Sequence, residues 1–106
     1  MTEGEINYQF NKISERVQLL YQAADNIENG VANTLQQLIG NIDKAWDGVN
    51  SREYIQLCKK EYRKVNDTVR KIREAAKTIN EIAENAKNSE LAALAAAQII
   101  ETLFGK

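Results

Sequence analysis

Histidine and proline are both absent from this 106-residue chain, which holds one cysteine, one tryptophan and five glycines. Without histidine, the usual general base near neutral pH and the commonest metal ligand are missing, so an enzyme is the least favoured class. Glu81 and Glu84 have the three-residue spacing of metal-binding bundles, but no histidine completes the set and a solvated face is the better reading. The lone Cys58 cannot form an internal disulfide, so the fold holds without covalent staples. It falls on an expected core face, with no base to activate it. No apolar run approaches the ~18 residues of a membrane-spanning helix. The opening Met1 to Glu5 has neither the basic start nor the apolar stretch of a general secretory signal. No catalytic residue, cofactor, metal or stable membrane insertion is expected.

What is present is helix. Hydrophobic residues make up 43% of the chain, enough for one modest core, and Ala, Glu, Lys, Gln and Leu dominate over alternating β-branched residues. Apolar positions run Ile6, Phe10, Ile13, Val17, Leu20, Ala24, Ile27 and Val31 in steps of four and three, which is a heptad seam. The pattern then slips by one residue, as at a stutter, and continues through Leu35, Leu38 and Ile42. Helix one is expected from about residue 5 to 43. Gly30 and Gly40 fall inside it; the seam keeps step past them, so the helix is read as continuous, with the glycines allowing a partner helix to come close. A break at Asn29-Gly30, a turn signal, is the competing reading.

Periodicity stops at Trp46-Asp47-Gly48-Val49-Asn50-Ser51, so a turn is expected at about 44–51 with Ser51 capping the next helix. Helix two, about 52–88, carries Cys58, Tyr62, Val65, Val69, Ile72, Ala76, Ile79, Ala83 and Ala86 on its seam. A weaker break is expected at Asn88-Ser89-Glu90, followed by an amphipathic tail, 89–106, forming a short third helix. Its Ile99, Ile100, Leu103 and Phe104 are read as docked on the bundle. The whole of 1–106 is then a single all-α domain, an antiparallel helical hairpin. Residues 2–45 carry six acids and three bases, whereas 51–88 carry ten bases and six acids, so the two arms attract.

Two helices side by side bury one stripe each and leave their flanks wet. Leu19, Tyr21, Leu35, Ile39, Ile55 and Leu57 broaden the apolar faces beyond one contact, so a second hairpin is expected to cover them in a four-helix bundle. The residues expected to form core and dimer seam are Phe10, Ile13, Val17, Leu20, Ile27, Val31, Leu35, Leu38, Val65, Val69, Ile72 and Ile79.

Trp46-Asp47-Gly48 at the bend of such a hairpin, with Tyr54 eight residues beyond the tryptophan, resembles the WXG family of small type VII secretion substrates, the early secreted antigen family of bacteria. The resemblance covers roughly residues 5–88. It implies a protein made in the cytoplasm and secreted without a cleaved signal peptide, as a homodimer or heterodimer with a WXG-like or effector hairpin, and recognised by the secretion ATPase and its machinery. An indole closes the open end of a bundle, and Gly48 permits a backbone that a side chain would block. Asn50 departs from the small apolar residue usual there, and the tail lacks the family's Tyr-x-x-x-acid pattern. Tyr21 and Asp25 match that spelling inside helix one, where they read as structural. The missing tail motif points either to a partner that carries it or to the chain's own amphipathic tail, ending Ile99, Ile100, Leu103 and Phe104, as its substitute. Escort of a larger secreted toxin and an intracellular helical adaptor are the alternatives. Nucleic-acid binding by Lys59, Lys60, Arg63, Lys64, Arg70, Lys71 and Arg73 is not expected, because Glu61, Asp67 and Glu74 interrupt the cluster.

Overall fold

A computed structural model of the chain describes residues 1–45 and 48–105. The described residues are almost wholly helical, with no strand among them. Helix α1 spans Glu3–Ile27, a π-turn Glu28–Ala32 follows, α2 spans Asn33–Ala45, and α3 spans Val49–Phe104. The expectation of two long helical arms therefore stands, with four differences in detail.

At the N-terminus, Thr2 caps α1. The Glu5 backbone N–H donates to Thr2 Oγ1 at 3.2 Å, and the Thr2 hydroxyl donates to the Glu5 carboxylate at 3.2 Å. The first bond satisfies a donor that a helix start leaves open and the second holds the capping hydroxyl in place, so α1 begins at Glu3 rather than near residue 5.

The second difference lies at the start of α3. Gly48 has φ +133°, in the region that side chains rarely adopt. Its carbonyl accepts both the Arg52 N–H at 3.2 Å and the Ser51 hydroxyl at 2.8 Å. Helix α3 thus opens at Val49, and Ser51 is not the N-cap; it sits within the first turn, buried, its hydroxyl donating backwards instead of accepting. Nothing lies within 4 Å of a Cβ placed on Gly48. Gly48→Ala is therefore expected to cost about 1–3 kcal/mol through backbone strain alone. Gly40→Ala, at an open helical position, should not destabilise. Urea melts of the two variants check the contrast.

Third, α3 passes through Asn88-Ser89-Glu90 without a break and runs to Phe104, so there is no separate third helix. Asparagine and serine each cost only about 0.5 kcal/mol in a helix, and extending a formed helix is far easier than starting one. The alanine-rich stretch beyond therefore joins α3. Fourth, the break weighed at Asn29-Gly30 is neither a turn nor plain α-helix. The Asn33 N–H reaches back five residues to the Glu28 carbonyl, which inserts one extra residue into the turn.

The chain divides into two compact units. In the unit Leu20–Glu74 the arms run antiparallel about the reversal between Ala45 and Val49, and Ala24, Ala32, Ser51 and Val69 are buried. In the unit formed by Met1–Leu19 with Ala75–Lys106, the buried residues are Ile6, Val17, Ala76 and Ala83. Small side chains dominate both cores. That choice lets helices approach closely but buries little apolar surface.

Candidate functional site

The chain reversal and the uncovered flanks are the features that bear on function. Trp46 and Asp47 lie outside the described residues. Gly48, the third residue of the tripeptide, is the only glycine with positive φ among them. Tyr54, one and a half turns into α3, is exposed together with Leu57.

The expected seam is only partly inside. Val17 and Val69 are buried, while Phe10, Leu20, Ile27, Leu35, Val65 and Ile72 are half-buried. Ile13, Val31, Leu38 and Ile79 are exposed, Val31 to 48% and Leu38 to 44%. The reason is geometric. The line of closest approach between arms is taken by Ala24 and Ala32 in one unit and by Ala76 and Ala83 in the other, and bulkier neighbours are pushed to the sides. In the unit Leu20–Glu74 the flanks expose Val31, Leu38, Tyr54 and Leu57; in the other unit they expose Tyr8, Ile13, Leu19, Ile79 and Ile82.

The tail corrects the docked reading. Ile99, Ile100, Leu103 and Phe104 are all more than half exposed, Phe104 to 82%. In the same unit the N-terminal segment and α3 share a groove lined by Met1, Ile6, Glu90, Leu94 and Ala97. Lys87 lies over the Phe10 ring, 4.5 Å from its centre, a cation–π contact that fixes the half-buried aromatic. Nothing lies within 4 Å of a Cβ at Gly30 or Gly40, so the close helix approach expected there is absent within this chain.

Charge is arranged to hold the arms. Arg73 on α3 donates from one nitrogen to Asp25 at 2.7 Å and from the other to Glu28 at 2.8 Å. Asp25 is thereby occupied, in keeping with a structural reading of Tyr21 and Asp25. Hydrogen bonding by Arg73, aided by its charge, holds the Glu28 carboxyl below the usual range, and the same bonds raise Arg73. Asp67 is likewise held low, first by its hydrogen bond from Arg70 and then by Lys71. Lys64 pairs with Glu61, Arg70 with Asp67 and Glu74, and Lys71 with Asp67. Four of the seven bases considered for nucleic-acid contact are thus paired with carboxylates.

A carboxyl whose folded pKa is depressed stabilises the fold above its unfolded pKa, and that contribution disappears as pH falls through the folded value. Acidification from about pH 5 to about pH 2 is therefore expected to remove the Glu28 contribution. In Arg73→Gln the melting temperature should fall less steeply over that window than in the parent. Thermal melts at stepped pH check it. A parallel decline in both proteins contradicts it.

Comparison with protein-family models, with curated proteins and with solved structures yields no match in any of the three. Function therefore has to be argued from geometry. Among the described residues no three or more potential metal ligands come together, and no helix is long and apolar enough to cross a membrane. The cleft between the arms lined by Ile6, Phe10, Ile13, Ala83 and Lys87 holds about 80 Å³, and the larger hollow of about 340 Å³ lined by Ala95, Gln98, Ile99, Thr102 and Leu103 lies along α3 alone. What each unit's described surface offers is exposed apolar side chains beside a core of small residues.

Two local features carry a sequence signal. Thr2 and Glu5, three residues apart, mark the helix start. The one-residue slip between Val31 and Leu35 marks the π-turn, where the backbone rather than a supercoil takes up the extra residue.

Proposed function

We propose that this chain is one half of a helical pair: a small type VII secretion substrate of bacteria, exported folded after pairing with a second hairpin, either its own copy or a WXG-like sister. The observation that carries the pairing is the mismatch between cores of alanine and valine and the large apolar side chains left beside them, Leu19, Leu38, Leu57 and Ile82 among them. A second hairpin laid on those flanks makes a four-helix bundle, and the bulky residues become its interior.

The export reading rests on Trp46-Asp47-Gly48. Its glycine has a positive φ just ahead of α3, which supports a special backbone at the tripeptide. A tryptophan next to that glycine is a mark that an export machine can read without a cleaved signal. Trp46→Ala is expected to lower export at least tenfold while sedimentation still shows the pair. Equal loss of export and pairing makes the tryptophan merely structural and removes the export reading.

A second reading, escort of a larger secreted toxin by pairing with the toxin's helical N-terminal region, is favoured by the uncovered end of α3. Ile99, Ile100, Leu103 and Phe104 extend an apolar surface that a longer helical partner would cover.

A further inference from the structure

The π-turn has a consequence for which face α2 shows. At 100° per residue, an unbroken α-helix would place Val31, Leu35, Leu38 and Ile42 within about 40° of the direction of Ala24, which is buried against the opposite arm. They are not placed so. Ala32 is buried instead, Val31 and Leu38 are exposed, and Leu35 and Ile42 are half-buried. Storing one residue between Glu28 and Ala32 has turned α2 by about a quarter turn.

We propose that the π-turn is a register switch for α2: the Leu20–Glu74 hairpin closes in two rotational registers, according to whether the turn stores its extra residue. The two registers exchange Ala32 for Val31 and Leu38 against α3. The local sequence suits a turn that can take either form. Asn29-Gly30 is its weakest helical stretch, and no side chain packs on Gly30. The Thr34 hydroxyl donates to the Gly30 carbonyl, giving the loosened backbone a partner. Arg73 grips Asp25 ahead of the turn and Glu28 at its first residue, so the preceding helix stays fixed while α2 rotates.

The use of the switch rests on the pairing proposed above. In the π register Val31 and Leu38 point where a second hairpin reaches them; in the continuous register the chain hides them against its own α3. The proposal thus adds to the pairing a choice between a pairing-competent and a self-closed face.

Deleting Gly30 from the full chain removes the stored residue and leaves residue 32 seven steps from Ala24 in a plain α-helix, so it locks the face seen here and closes the continuous register. In a Cys58→Ser background, Ala32→Cys should react with a small maleimide through the continuous register, and deletion of Gly30 should slow that reaction at least tenfold. Ala24→Cys, ahead of the turn, should stay slow in both. Relaxation of the Ala32 methyl by a dissolved paramagnetic agent reads the same change without the cysteine. Circular dichroism should show retained helicity and a cooperative melt. An unchanged rate at position 32 on deletion, or loss of the cooperative melt, overturns the switch. Sedimentation reads the pairing separately: a slowed reaction with pairing kept or strengthened supports switch and use together, whereas a slowed reaction with pairing weakened at least tenfold upholds the two registers and removes Val31 and Leu38 from the pairing face.

Discussion

Val69→Asp is expected to abolish cooperative folding. Val69 is the largest side chain among those buried almost completely, and the rest of that core is alanine and serine. An unpaired carboxylate there costs several kcal/mol. A chain of this size has roughly 5–15 kcal/mol of stability in all, and cores this thin place it at the lower end. Val69→Ala removes two methyl-sized groups and should cost about 2 kcal/mol, leaving a cooperative but weaker transition. Thr68→Asp, one position along on the exposed face, should change stability by no more than about 0.5 kcal/mol. Urea melts followed by circular dichroism give all three values. A cooperative Val69→Asp melt near the parent midpoint would show that the arms do not close on Val69.

Leu38→Lys combined with Leu57→Lys is expected to act on the fold only through pairing. Both side chains are about half exposed, at 44% and 55%, so a lone hairpin gains little from them and loses little when they become lysine. Covered by a second hairpin, each would bury further apolar surface worth on the order of 1 kcal/mol at ~25 cal/mol per Å². Lysine would instead bring a charge into that contact. Association should weaken at least tenfold for the two sites together, as measured by sedimentation equilibrium. An unchanged association constant would place the interface on another face.

Much of the architecture was legible from periodicity. Apolar steps of four and three define two helices, and the interruption after Ile42 marks their reversal, because a helix needs an unbroken stripe to bury. The exact buried residues were less legible. A heptad seam names the face but not how closely two helices approach, and here Ala24, Ala32, Ala76 and Ala83 take the line of contact while Ile13, Leu38 and Ile79 are displaced outwards. Local stops were read with uneven success for a related reason. Gly48 stands just ahead of α3 with a positive φ that no helix interior adopts, whereas Asn88-Ser89 only weakens a helix that residues on both sides sustain. The π-turn was visible only as a one-residue slip, and a slip of that size can be absorbed by a supercoil as well as by backbone. The opposed charges of the two arms were legible as an attraction, but choosing Arg73 as the residue that spans them required the three-dimensional register.

The pairing claim is tested most directly by following helicity and molecular mass together while the purified chain is diluted from about 100 micromolar to well below 1 micromolar, concentrations that bracket the affinities usual for helical interfaces. The account predicts that the two fall together, with a dimer at the upper end and lost helicity wherever the dimer is lost, because these thin cores need the second hairpin's cover. A monomer that keeps full helicity and melts cooperatively at every concentration would contradict it.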